Sequence, residues 1–486
     1  MVCALALLLR CFELDAQLWY DEIVTLLRFV RLSASELLTT YTTLNNHVLY
    51  SLEAKAAVSL FGEHAWALRL PAVLFGVGSV AVAYALARAA MGVGEARLAT
   101  LLLAVSYHHV WFSQSARGYT GLLFFGSLGT LIFLRAAGQP GFRQWTAYAL
   151  TIAAAGFTHL TAALFFASHA IVYFGLVLLR RLRAKRVASA GKDLAANLRP
   201  LQGMALGVAL TVLLYLPIVP QVFETFSGIT AGSPLGEPAG ASRPSDGQWR
   251  NPIWTALEVV RGFEGLGPLL VVALPVALWL LVWGARSLFA RNPLLASVYL
   301  VNIPLTLVVL LLAGMRLWPR YFFLDIVFLL LCMTRGLFAA LEALSNRLAW
   351  SARTRRIAEL TAGALAVSAS LGLLPRNYLY PKQDFEGALH HVESVRASRD
   401  QVAVAGLARI PYGEYYKPGW TMVADALELE ELRAEPGRTF LVFAFGDHMR
   451  SRHGDIMAVA DKEFSLEGEF HGTVGGGDVI VMRSER

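Results

Sequence analysis

Residues 68–90 read LRLPAVLFGVGSVAVAYALARAA, and this stretch decides the class of fold. Between Arg69 and Arg88 it carries no charged side chain. A bilayer core asks for roughly 20 such residues in one helix. Working outward, comparable runs lie near 1–12, 97–113, 119–137, 146–164 and 165–179, then near 202–220, 264–285, 294–315, 321–341 and 357–375. The fifth and sixth runs abut, which predicts a short turn near Leu164 to Ser168. Together the runs predict an all-α polytopic membrane protein of about eleven transmembrane helices. Composition agrees: the 486 residues are 56% hydrophobic and only 16% charged, where a soluble domain has about 25% charged residues.

The net charge of +7 does not indicate a nucleic-acid partner. The densest basic cluster, Arg180-Arg181-Leu182-Arg183-Ala184-Lys185-Arg186, directly follows an apolar run, where such clusters hold a loop in the cytoplasm. With a cytoplasmic amino terminus, Arg88, Arg97, Arg135, Arg143, residues 180–199, Arg286, Arg291 and residues 347–356 all fall inside. The other side receives residues 13–67, 221–263 and 376–486, and the protein is expected in the inner (plasma) membrane. Too few residues precede Glu13 for a full span. A shortened first helix is expected, an upstream start being the alternative. Cys3, Cys11 and Cys332 all lie in apolar stretches and form no zinc-binding spacing.

Residues 1–375 therefore read as the membrane module, with two external loops, and 376–486 as a small extracytoplasmic α/β domain. In the first loop, Ile23, Leu26, Leu27 and Val30 fall at helical spacing. Ser33 and Glu36 form a capping box, and a third helix is expected from Val48 to about Gly62. All three are too polar to span and are placed on the membrane surface. The 221–263 loop, with its Gly-Ser-Pro and Arg-Pro-Ser-Asp-Gly stretches, reads as a lid or a flexible connector. In the tail, strands are predicted at 401–405, 439–445 and 478–482, with a helix near 384–396. The tail shows neither a P-loop nor a GxGxxG turn.

Asp21 and Glu22 follow the first apolar run, beside Trp19 and Tyr20. The aromatic pair anchors this point at the interface, where the head group of a lipid-borne substrate would lie. Arg117 and Tyr119 stand between the third and fourth runs, Arg320 and Tyr321 between the ninth and tenth. Outside arginines run against the topological bias and suit a lipid phosphate, whereas a lone one is readily explained by snorkelling. His47 lies in the first loop and His159 late in the fifth run. Asp325 sits one helical turn beyond Tyr321, and a carboxylate within a span faces a cavity or a partner.

Leu18-Trp19-Tyr20-Asp21-Glu22, Asn46-His47-Val48-Leu49-Tyr50 and Leu68-Arg69-Leu70-Pro71 resemble the amino-terminal third of GT-C glycosyltransferases. The branch looks like the bacterial relatives of protein O-mannosyltransferases and of the lipid A aminoarabinose transferase. Residues 112–119 and Pro319-Arg320-Tyr321 continue the likeness. The resemblance implies transfer of a sugar from a polyprenyl-phosphate donor to an extracytoplasmic acceptor in the cell envelope, with inversion. Asp21, with Glu22 beside it, corresponds to the acidic residue that serves as catalytic base. Arg117 and Arg320 correspond to donor-phosphate contacts, with Tyr119 and Tyr321 beside them, and His47, Arg69, His159 and Asp325 are candidate substrate-binding residues. Relatives often carry an acid where Ser115 stands, so no metal ligand is assigned and no cofactor is named beyond the lipid-phosphate donor. The partners are the bilayer, that donor and a glycan, lipid or protein acceptor.

Three alternatives stay open: a lipid-linked glycan transporter or flippase, a polysaccharide polymerase or ligase, and a non-catalytic scaffold. The topology carries its own test. A reporter active only after export should be active when fused at the carboxyl terminus; inactivity there, with activity after Arg186, would invert the orientation.

Overall fold

The computed structural model describes residues 1–43, 46–138, 141–184, 199–230, 251–261, 267–315 and 317–485. The chain is 75% helical with a small carboxyl-terminal sheet. Eight described helices are long and apolar enough to cross a membrane: Ala65–Arg88, Tyr119–Ala137, Ala162–Leu179, Arg199–Thr225, Leu270–Arg291, Pro293–Leu312, Pro319–Arg347 and Ala352–Leu379. The three other predicted runs form shorter helices. Val2–Cys11 has ten residues. The 97–113 run divides into Val93–Ala104 and Tyr107–Ser113, because Ser106 caps a new helix by accepting from the His109 N–H. The run at 146–164 becomes Phe142–Thr158, of 17 residues. Among the described residues, full-length helices therefore number eight, against the eleven spans expected.

The turn expected near Leu164 falls earlier. Helix Phe142–Thr158 ends where His159 adopts an extended backbone, and Thr161 donates to the His159 ring through both its N–H (3.2 Å) and its hydroxyl (2.8 Å). A polar side chain capturing local donors competes with the helix ladder. Of the expected lid or connector at 221–263, helices Val219–Thr230 and Pro252–Arg261 are described. Residues 231–250 and most of the basic loop, 185–198, lie outside the described residues, as does Arg316.

Between membrane helices there is no hydrophobic driving force to speak of, so close packing depends on small residues. Helices Leu269–Arg291 and Ile326–Arg347 meet through Gly284 and Gly336. A Cβ on Gly284 would collide with the Cys332 carbonyl, and one on Gly336 with the Leu280 carbonyl. Directly beside Gly336, the buried Arg335 is ion-paired to Glu95 in helix Val93–Ala104.

Residues 20–61 fold as three short helices, as the pattern predicts. Helix Tyr20–Thr25 runs on as a wider turn to Val30; Ala34–Thr39 starts at the Ser33/Glu36 capping box; Val48–Phe61 stops at Gly62, whose φ of 88° suits glycine. The tail forms a five-stranded sheet in the order β2-β1-β3-β5-β4. The strands are β1 Gln401–Val404, β2 Thr421–Met422, β3 Thr439–Ala444, β4 Phe464–Phe470 and β5 Val479–Ser484. β1 pairs in parallel with β2 and β3, and β5 is antiparallel to β3 and β4. β2 is only two residues long and β4 has an exposed, polar pattern, so neither is visible in the sequence.

Central β3 is buried along its whole length and alternates between two cores. Leu441 and Phe443 pack with Leu429, Ile456 and Met457 on one face. Phe440 and Val442 belong instead to a cluster that includes Phe385 and Tyr412 and continues into Leu18, Ile23 and Tyr50 of the external loop. The sheet and the loop thus share a core.

Gly336→Val should lower the thermal midpoint of the detergent-solubilised protein, because overpacking costs about 1–3 kcal/mol or more where backbone blocks the new side chain. An unchanged midpoint would mean that the two helices are not held this closely.

Candidate active site

The site is assembled around Glu22 and Arg69, both almost wholly buried. Arg69 lies in the first full-length span, Ala65–Arg88, near its N-terminal end. Its Nε donates to Glu22 Oε1 at 2.8 Å and its Nη2 to Oε2 at 2.6 Å. Its remaining donors reach the carbonyls of Leu14 and Ala16, each at 2.8 Å, and of Gln17 at 3.0 Å. Glu22 also accepts from the Ala116 N–H at 2.6 Å and the Trp19 N–H at 3.3 Å. Burial alone would push this carboxyl up; the Arg69 charge and hydrogen bonds, with Lys382 and the Ala116 N–H, hold it below its ordinary value. Glu22 and Arg69 therefore saturate one another. Their geometry supports a bracing role in place of the catalytic and substrate-binding parts expected for them.

Asp21, in the same first helical turn, points elsewhere. Its Oδ2 lies 3.9 Å from Arg117 Nε and 3.8 Å from Arg320 Nη1. Three segments, remote in sequence, thus converge on one carboxylate. The Arg117 side chain is 4% exposed, that of Asp21 16% and that of Arg320 37%. Arg320 stacks over Trp318 at 5.3 Å, and Arg117 lies 5.9 Å from the Tyr119 ring centre. Tyr321 occupies the same turn as Arg320, within Pro319–Asp325.

His47 joins this group. Its Nδ1 accepts from the Gly118 N–H at 2.7 Å, and its Nε2 lies 3.4 Å from Arg117 Nη2. The accepting Nδ1 carries no proton, so the neutral ring bears its hydrogen on Nε2, facing the arginines. Burial, and then the charges of Arg117 and Arg320 with His159 close by, hold His47 well below its ordinary pKa. Gly118 permits this approach, since a Cβ there would lie 2.8 Å from Thr158 Cγ2 and 3.0 Å from the His47 ring. His159 stacks at a tilt on His47, with ring centres 4.6 Å apart, and on Tyr119 at 5.4 Å.

Asp325 is occupied differently. It is 1% exposed and takes both hydrogens of Asn302 Nδ2, at 2.9 and 3.1 Å, bracing two membrane helices. Thr25 escaped sequence reading. Its hydroxyl donates to the Asp21 carbonyl at 2.8 Å and accepts from Arg117 at 3.4 Å, and its only sequence signal is the i+4 spacing from Asp21.

Among the described residues, no three His, Cys, Asp or Glu side chains are grouped to hold a metal ion. Around Asp21 the neighbours are guanidinium groups, a donor set suited to an anion. Ser115 spends its hydroxyl on the Trp111 carbonyl at 2.9 Å.

A partly exposed carboxylate between arginines from separate loops, on a multi-pass helical fold, is the arrangement against which known proteins are compared. Residues 48–196 match the family described as dolichyl-phosphate-mannose-protein mannosyltransferase. A putative mannosyltransferase of Bacillus subtilis, YycA, is 32% identical over 153 residues, which cover 32% of this chain and 22% of that protein. The match thus spans under a quarter of that curated relative. ArnT from Cupriavidus metallidurans in its apo state aligns over 99% of this chain and 97% of its own, with 15% identity and a TM-score of 0.53. An oligosaccharyltransferase of Archaeoglobus fulgidus aligns over 96% of this chain and 71% of its own, with 12% identity and a TM-score of 0.54. A second ArnT structure, bound to undecaprenyl phosphate, aligns at 12% identity over 99% of this chain and 97% of its own, with a TM-score of 0.50. At these identities the solved structures show a shared fold. A fold shared with ArnT is what the resemblance read from the sequence motifs led us to expect.

The His47 environment has a measurable consequence. An unfolded histidine takes up its proton near pH 6.5, whereas folded His47 does so only at lower pH. The unfolded state then binds more protons in that window, so His47 should reduce stability as pH falls below about 6.5. Nitrogen NMR of the labelled imidazole should show the neutral Nε2–H tautomer persisting below pH 6.5; an imidazole that takes up its proton at the ordinary pH would contradict this environment.

Proposed function

We propose that the protein is a membrane glycosyltransferase that moves a sugar from a polyprenyl-phosphate donor to an extracytoplasmic acceptor with inversion. The observation that carries this reading is Asp21 placed within 4 Å of guanidinium groups from two other loops. The relatives' names, which speak of mannose transfer, point to the same chemistry.

In the resulting mechanism Arg117 and Arg320 bind the donor phosphate, and the Nε2–H of His47 stands ready to donate to it. The phosphate takes over the guanidinium contacts that Asp21 otherwise shares, leaving the carboxylate free to accept a hydrogen from the acceptor. Asp21 removes the acceptor hydroxyl proton as its oxygen attacks the anomeric carbon. The bond from that carbon to the phosphate oxygen breaks, and its electron pair stays on the departing polyprenyl phosphate. The arginines stabilise this developing charge where water is largely excluded. A single displacement inverts the anomeric centre. The phosphate is a good leaving group, so no acid catalyst is required.

The orientation that puts Asp21 outside also puts residues 376–486 outside, as a domain over the external face of a multi-pass plasma-membrane protein. The scaffold alternative required Asp21 and Arg320 to be far apart, and their separation of 3.8 Å speaks for the enzyme.

Asp21→Asn keeps size but removes the base. Transfer should fall by about 10²–10⁴, with affinity for undecaprenyl phosphate nearly intact. Glu22 is locked by Arg69 and is not positioned to substitute. Arg320→Ala should weaken that affinity by roughly 10–100-fold, since a hydrogen bond to a charged group is worth about 1.5–3 kcal/mol. Both are measured in nanodiscs, and undiminished transfer by Asp21→Asn removes the base assignment.

A further inference from the structure

The tail meets the site through two adjacent residues at the end of the last span. Helix Ala352–Leu379 stops at an extended Tyr380, and Lys382 and Gln383 follow, 9% and 0% exposed. Gln383 Oε1 accepts from the Tyr20 N–H at 2.9 Å, and its Nε2 donates to the Gly477 carbonyl at 2.7 Å. Tyr20 is the first residue of the helix that carries Asp21. The first N–H groups of a helix have no partner within it, so the tail supplies the missing acceptor one residue before the proposed base.

Lys382 grips the other loop. Its Nζ donates to the Gln114 carbonyl at 2.8 Å and lies 5.3 Å from the Trp111 ring centre. Gln114 is three residues before Arg117, and its own side chain holds the carbonyls of Arg10 (3.1 Å) and Phe12 (2.6 Å). The backbone of this short linker is fixed from the tail side too. Thr473 N–H donates to the Pro381 carbonyl at 2.9 Å and Val474 N–H to the Lys382 carbonyl at 3.0 Å, while Trp111 Nε1 donates to the Thr473 hydroxyl at 2.9 Å. Phe445, at the end of β3, places its ring edge-on to Tyr20 at 5.9 Å. Burial, and then the Arg69 charge, push the Lys382 ammonium down to about 7, against the pull of Glu22.

We propose that Lys382 and Gln383 are positioning residues for sugar transfer: by tying the loop of Asp21 and the loop of Arg117 to one rigid linker, they set the separation between base and phosphate-binding cation. The carboxyl-terminal domain is then a working part of the transfer site. This rests on the reading of Asp21 as the base and adds to it the means by which the base is held. Buried, hydrogen-bonded polar side chains at such a junction are a costly arrangement unless the geometry they fix is needed. A misplacement of the order of 1 Å costs a reacting pair up to roughly 100-fold.

The test uses the full chain in nanodiscs. Gln383→Leu removes the acceptor for the Tyr20 N–H, whereas Gln383→Glu, kept protonated by burial, retains an acceptor there and can still donate its carboxyl hydrogen to Gly477. With polyprenyl-phosphate mannose as donor and total membrane extract as acceptor, kcat should fall roughly 10–100-fold in Gln383→Leu, while undecaprenyl phosphate binding is unchanged. Gln383→Glu should recover most of that loss, which a general loss of stability would not allow. A cryo-EM map of Gln383→Leu should show Asp21 displaced from Arg117 and Arg320. Should that variant fail to fold, Lys382→Met, which releases Gln114, carries the same expectations. Wild-type kcat in a folded Gln383→Leu, an equal loss in Gln383→Glu, or a map with Asp21 still seated between the arginines overturns the positioning role. Undiminished transfer by Asp21→Asn overturns instead the base assignment beneath it.

Discussion

The buried ion pair of Glu22 and Arg69 is the constraint on which the external side depends. Removing two charges from water is expensive, and an ion pair repays that cost only when its remaining hydrogen-bonding capacity is also used. Here it is used fully. Arg69 collects three carbonyls from residues 14–17, and Glu22 collects the N–H groups of Trp19 and Ala116. One interaction therefore fixes the end of the first helix, the start of the helix bearing Asp21 and the loop bearing Arg117. It lies against a membrane span, which lends it rigidity.

Adjacent carboxylates thereby receive opposite fates. Residues 21 and 22 are about 100° apart around a helix, so one side chain enters the protein while the other faces the opening between loops. Glu22 meets a guanidinium at 2.6 Å and is spent on structure. Asp21 stands 3.8–3.9 Å from its two arginines, close enough for attraction and loose enough to exchange partners. His47 contributes to the same balance. Surrounded by positive charge and sealed from water, it remains a neutral donor and adds nothing to the electrostatic load of a site that already holds two cations.

The tail is joined to this arrangement by a continuous core. Phe440 and Val442 of β3 belong to the same apolar cluster as Leu18, Ile23 and Tyr50. Side chains alternate along a strand, so the opposite residues Leu441 and Phe443 serve a separate core under the tail's own helices. A shared core of this kind resists independent movement of sheet and loop. It also explains why the linker residues between them are buried, although they sit at a junction that composition alone would mark as a surface.

Much of this protein was legible from the chain because it rests on local rules. A run of apolar residues long enough for the bilayer needs no partner to be recognised, and the cap at Ser33, the stop at Gly62 and three of the five tail strands follow from short-range patterns. The motifs around Asp21, His47, Arg117 and Arg320 were visible as residue types in order. What each carboxylate and arginine does was decided only in three dimensions. Asp21 and Glu22 are indistinguishable neighbours in sequence, and only the fold brings Arg69 to one and Arg117 with Arg320 to the other. Asp325 looked available until Asn302, from another helix, took both its oxygens. Lys382 and Gln383 had no signal at all, since their partners lie hundreds of residues away. Hydrophobic length is a property of a segment and can be read along the chain. The state of a buried charge depends on which opposite charge is within a few ångströms, and that is set by tertiary packing.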